Sequence, residues 1–305
     1  MTTPPALLLV GDGTRDDDSA EAFRSFVGEL AGRDPGFPVA GGFPGHARPA
    51  LSDTVAALVA EGTTRFTAVP LTLVPGGHAE DGVRAALAAE EERHPDASFV
   101  TGAAVGPHPA LLSVLERRLE EALSGDAGTA GAAVTAEGTA SGEPAASTAS
   151  AAQEARTPRT PLDRFRTTVL LVGRGSTDPY ANAEVHRAAR LLWEGRGYAG
   201  VEPAFVSLAA PDVASGLDRC RRLGATTVVV LPYFLFDGAL SARVRQQSSG
   251  WAAANREVEV RNADVLGVTE ELAEAVLERY RAAVGGGAFR APGSRPHGAD
   301  HASTH

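Results

Sequence analysis

Short apolar runs alternate with amphipathic stretches through most of this chain, and the whole series occurs twice. Ala6–Val10 is continuously apolar and closed by Gly11, the signature of a strand buried on both faces. Residues 19–31 place Ala22, Phe23, Phe26, Val27 and Leu30 at helical spacing with polar residues between them. Residues 39–43 predict a second strand, Leu51–Ala60 a helix and Arg65–Pro70 a third strand. Residues 79–93 predict a helix stopped at His94-Pro95, because the residue before a proline is pushed out of the helical region. Ser98–Thr101 reads as a fourth strand, and residues 109–123 as a closing helix with Pro109 in its first turn. The second series has strands near residues 168–172, 201–207, 226–231 and 258–260. Its helices are near residues 181–194, 213–223, 239–254 and 269–283. Strands separated by helical crossovers predict a parallel sheet wrapped on both faces in each half.

The residues repeat along with the pattern. Leu7-Leu8-Leu9-Val10-Gly11 returns as Val169-Leu170-Leu171-Val172-Gly173, Asp16 as Asp178, Phe43 as Phe205, Pro49 as Pro211, Gly62 as Gly224 and Pro70 as Pro232. A period this long marks a duplicated domain. The expected fold is α/β: two tandem domains, each a four-stranded parallel sheet flanked by helices, facing each other across a cleft. The expected boundaries are 1–123 and 162–284. Residues 124–161 are Ala, Gly, Ser, Thr, Glu and Pro with almost no large apolar side chain. Such a segment cannot offset its ordering entropy by burial and reads as a flexible linker. Residues 285–305, with His297, His301 and His305, read as a disordered tail. A chain of 305 residues is long enough for each domain to have its own core.

Composition acts mainly by exclusion. Apolar residues are 43% and charged residues 22%, a balance ordinary for soluble proteins. The net charge of -10 and the absence of a basic stripe argue against a nucleic-acid partner. Cys220 is the single cysteine, so neither an intramolecular disulfide nor a cysteine-rich metal cage is available. No run is long enough to span a membrane, and the first residues lack a signal peptide's basic start, so a cytoplasmic location is expected.

The chemistry is expected where the halves differ. The first half has Asp12, His46 and His78 where the second has Arg174, Leu208 and Leu240. All three follow strands, and ligands of open α/β sheets bind beyond the carboxyl ends of the strands. His78 follows Gly76-Gly77 and opens a helix, where the positive end of the dipole favours a neutral imidazole able to act as base or ligand. Asp12 reads equally as a helix or turn cap. The small residues of Gly11-Asp12-Gly13-Thr14 lack the spacing of a nucleotide loop and are expected to let a bulky ligand approach the backbone. Arg15, Arg48, Arg84 and His108 lie in or near these loops and are candidates to hold an acidic ligand. His94 reads as a helix cap and His186 as ordinary surface.

These motifs carry a resemblance. Val10-Gly11-x-Gly13-Thr14-Arg15-Asp16, the segment from Val69 to Ala79 with Gly76-Gly77-His78, and Gly106-Pro107-His108-Pro109 resemble the single-protein, ATP-independent tetrapyrrole chelatases. The second half, with Leu231-Pro232-Tyr233-Phe234, is similar to that of the long, two-repeat sirohydrochlorin cobaltochelatase/ferrochelatase type. The resemblance covers both halves almost entirely. It implies a lyase that inserts Co2+, with Fe2+ or Ni2+ as alternatives, into sirohydrochlorin, a carboxylate-rimmed macrocycle lying between the halves. His78 matches one of the family's two active-site histidines and would take the pyrrole protons. The other histidine belongs at position 12, where this chain has Asp12, and a glutamate belongs at position 45, where it has Gly45 with His46 beside it. Asp12, His46 and His78 then form a carboxylate–imidazole set suited to a divalent ion. Two further readings follow from those departures: a member that binds metal or tetrapyrrole without turnover, or one recruited to a different metal-assisted reaction in secondary metabolism. The halves are expected to pack as an internal pseudo-dimer in a monomer or a loose homo-oligomer.

Overall fold

The computed structural model describes residues 4–12, 16–45, 47–124 and 161–286, without the side chains of residues 77–79 and 161–163. Most of the segment expected as a linker and most of the expected tail, including its histidines, lie outside the described residues. The first half runs β1 (Ala6–Val10), α1 (Asp17–Gly32), β2 (Val39–Gly42), α2 (Leu51–Ala60), β3 (Arg65–Pro70), α3 (Gly77–Arg93), β4 (Ser98–Thr101) and α4 (Pro109–Ser124). After a 3-10 turn at Pro161–Arg166, the second half runs β5 (Thr167–Gly173), α5 (Pro179–Trp193), β6 (Gly200–Phe205), α6 (Val213–Arg222), β7 (Thr227–Pro232), α7 (Ala239–Ala254), β8 (Glu259–Asn262) and α8 (Glu270–Gly286).

Both sheets are parallel throughout, in the orders β2-β1-β3-β4 and β6-β5-β7-β8. β1 and β5 are central and wholly buried, in keeping with the apolar runs of Ala6–Val10 and of residues 169–172. Phe43, expected within the second strand, instead leaves the ladder. Its N–H donates to the Pro49 carbonyl at 2.9 Å and its carbonyl accepts from Leu51 N–H at 2.9 Å, so it pairs with the chain returning into α2.

Two expectations are corrected here. The closing helix of the first half does not close its own sheet: α4 packs on β7 and β8 of the second half, and α8 packs on β3 and β4 of the first. Nor are the cores separate. The largest apolar cluster takes Leu7, Phe26, Leu115 and Leu119 from the first half together with Leu171, Leu231, Val276 and Tyr280 from the second. Each half keeps only a smaller cluster of its own, around Leu8, Val55 and Phe66 in one and Leu170, Val213 and Val230 in the other.

Polar contacts pin the exchanged helices. Arg261 of β8 donates to the carbonyls of Ala122 and Leu123 at 3.0 and 2.8 Å, satisfying the open end of α4. Arg118 of α4 donates to the Val265 and Leu266 carbonyls, both at 2.9 Å. Tyr280 of α8 donates to the Pro5 carbonyl at 2.6 Å, and Arg117 holds Glu271 through two hydrogen bonds of 2.6 and 3.2 Å. The Arg117 hydrogen bonds hold the Glu271 carboxyl down to about 2 against the opposing effect of burial.

Candidate functional site between the halves

The loops at the carboxyl ends of β1, β3, β5 and β7 converge on a cavity of about 560 Å³ shared by the two halves. Its walls are largely apolar, with Phe23, Phe43, Leu71, Leu73, Phe234 and Phe236 among them. Phe23 and Phe43 stack obliquely, ring centroids 4.4 Å apart. Tyr233 ties the β3 and β7 loops together by reaching the Leu73 carbonyl at 3.4 Å. Burial pushes its hydroxyl well above the usual tyrosine range, so it stays a neutral phenol.

Gly11 is needed for a reason other than ligand access. A Cβ there would lie 2.4 Å from the Phe43 ring and 3.4 Å from Phe23, so the space above this glycine is already filled by aromatic side chains. Gly11 still borders the cavity, Gly13 and Thr14 lie outside the described residues, and the close packing fixes the start of the loop that carries Asp12. In the second half Gly175, at the position matching Gly13, has φ +87° and a Cβ there would overlap the Ser207 carbonyl, so only glycine fits that turn.

Asp12 lines the cavity, and its Oδ2 lies 3.7 Å from Arg174, the residue at the matching position of the second half. His46 and Arg15 lie outside the described residues. The backbone of His78 is in the first turn of α3, directly after Gly76, which lines the cavity; its side chain lies outside the described residues. Among the described residues, no group of three or more His, Cys, Asp or Glu side chains is arranged to hold a metal ion.

None of the other described candidates, Arg48, Arg84 and His108, lines the cavity. His108 is only 7% exposed. Its Nδ1 accepts from Ala110 N–H at 3.2 Å and its Nε2 faces Glu278 of α8 at 3.1 Å. With both ring nitrogens engaged, it joins α4 to α8 and is not presented to a ligand. Arg48 pairs with Asp53 at 2.6 Å and Arg84 with Glu80 at 3.3 Å, each on the surface of the first half. His94 is the residue at the end of α3, 3.8 Å from Glu90, and His186 is exposed on α5. Cys220 is buried, and burial pushes its thiol up to about 12, which removes it as a nucleophile near neutral pH.

Several cavity residues escaped sequence reasoning. Asp16 reaches across to the second half, where its Oδ2 accepts from Ala239 N–H at 2.8 Å and so caps α7. Ser19 beside it lies 2.9 Å from the Asp237 carbonyl. Leu208 lines the cavity, 67% exposed and at φ +62°, a backbone conformation costly for a leucine. The one available signal was the match of residue 12 with residue 174 in the repeat.

The family model described as CbiX matches residues 6–122 and 168–283. The chain belongs to the CbiX family. Both repeats take part, so the duplication is a property of the family match and not of one half alone. Sirohydrochlorin cobaltochelatase of Priestia megaterium is 30% identical over 275 residues, covering 90% of this chain and 78% of that protein. Sirohydrochlorin ferrochelatase of Bacillus subtilis is 23% identical over 277 residues, 90% of each chain. Among solved structures, SirB from Bacillus subtilis with Fe3+ matches this CbiX-family chain with a TM-score of 0.69 at 21% identity, over 92% of this chain and 96% of that one. At that identity the match establishes the shared fold.

Proposed function

We propose that this CbiX-family chain is a metal chelatase, a lyase that inserts a divalent ion into sirohydrochlorin or a related carboxylated tetrapyrrole. Co2+ is the first candidate, with Fe2+ and Ni2+ as alternatives. The observation that carries the reading is the cavity at the carboxyl ends of both sheets, apolar-walled and bordered by the loops of Asp12 and Gly76, in a chain whose relatives are named sirohydrochlorin chelatases. Apolar walls suit the faces of a large ring and exclude water from the exchange of pyrrole protons for metal.

In this reading His78 is the base that takes the pyrrole N–H protons. Its place in the first turn of α3 favours the neutral imidazole that such a role needs. Asp12 and His46 would assist as ligands to the entering ion, a mixed oxygen and nitrogen set that suits first-row divalent metals. Arg48, Arg84 and His108 have no part in it. The site is taken to work within one chain, and the protein to act in the cytoplasm without nucleic-acid or membrane partners.

The test is to mix the pure chain with sirohydrochlorin and Co2+ and follow the absorbance of the macrocycle. Insertion faster than the uncatalysed reaction is expected, falling about 100-fold or more in His78→Ala. A rate equal to the uncatalysed one would end this reading. Tight calorimetric binding of metal or macrocycle without conversion would support the alternative of a non-turning-over binder.

A further inference from the structure

Arg174 stands out among the cavity residues because its side chain is so little used. Its backbone is held firmly, since the carbonyl accepts both Ser207 N–H and Ser207 Oγ–H at 3.1 Å. Its guanidinium has five donors, yet among the described residues it makes no hydrogen bond. Its one charged neighbour there is Asp12, at 3.7 Å, beyond hydrogen-bonding reach. The two side chains are 60% and 44% exposed, and such a pair holds its members weakly. Arg174 therefore lines a cavity of mainly apolar walls with its guanidinium donors unused by any of the described residues.

We propose that Arg174 is the anchor for a peripheral carboxylate of the bound macrocycle, and that Asp12 is its resting counter-charge, released when that carboxylate arrives. The proposal rests on the chelatase reading for the identity of the ligand. A carboxylate on a ring substituent can meet the guanidinium with two parallel hydrogen bonds, a geometry that Asp12 does not reach. The exchange replaces a loose ion pair by a hydrogen-bonded one. It also leaves the Asp12 carboxylate without its positive neighbour while the macrocycle is in place, which is when a divalent ion would need it. The two residues occupy matching positions of the repeat. The duplicated loop has thus been divided into a holding side in the second half and a reacting side in the first.

The test uses the full chain and titrates metal-free sirohydrochlorin, followed by fluorescence quenching, into the wild type, Arg174→Gln and Arg174→Lys. The fully esterified macrocycle is titrated in parallel in the same detergent buffer. Arg174→Gln is expected to weaken binding of the free acid about tenfold or more, with partial recovery in Arg174→Lys. Wild type and Arg174→Gln should bind the ester equally. Unchanged affinity for the acid in Arg174→Gln, or equal losses for acid and ester, would overturn the anchor; thermal melts of each variant identify any loss of folded protein. The two readings fail separately. Acid-selective weakening in a chain that does not insert metal would leave the anchor standing and remove the chelatase. Insertion by a chain whose Arg174→Gln variant keeps the wild-type KM for the macrocycle would do the reverse. No binding of the macrocycle by the wild type would remove both.

Discussion

Asp16 does at the residue scale what its neighbourhood in sequence conceals. It stands just ahead of α1, as a capping residue would, but α1 receives no side-chain cap from it. Its carboxylate accepts instead from Ala239 N–H, at the start of α7 in the other half. Asp16→Ala should therefore destabilise the protein by about 1 kcal/mol, the usual cost of losing a cap, read as a lowered urea midpoint. Gly11→Ala should cost more. The added methyl would press on the Phe43 ring, and overpacking of this kind costs about 1–3 kcal/mol. Calorimetric melting would check it, and a melting temperature equal to the wild type's would mean that the ring moves aside freely.

At the scale of elements, the exchanged helices α4 and α8 carry a pH dependence. The Glu271 carboxyl of α8 is held down to about 2, from an ordinary 4.5, by hydrogen bonds from Arg117 of α4. Because the folded state lowers this pKa, the pair stabilises the fold fully above about 4.5 and loses that contribution as pH falls towards 2. The partial exposure of both side chains reduces the effect to about 1–2 kcal/mol. Glu271→Gln should lower stability at neutral pH by that amount and flatten the fall in stability between those pH values. Denaturant unfolding across the acid range measures it, and parallel curves for wild type and variant would show that the pair contributes nothing.

At the scale of the whole molecule, the halves are not independent bodies joined by a tether. Residues 1–124 alone would leave Leu115 and Leu119 of α4 without β7, and would leave β3 without α8. That fragment is expected to associate with itself or to lack a cooperative transition. A monomeric fragment with a sharp melt would contradict the shared core. The cavity depends on the same arrangement, because its walls come from both halves.

The strands and helices, the duplication and the family were legible in the chain itself. Short apolar runs and periodicity at 3.6 residues are local properties, and they placed β1, α1, β3 and α4 within a few residues of where they lie. The motif spacing and the resemblance likewise directed attention to the loop of Asp12. Partners were not legible. Which half α4 covers, what fills the space over Gly11, and which helix Asp16 caps are questions about groups distant along the chain. Each was settled by packing, because a helix end or an apolar face takes the nearest group that satisfies it in space.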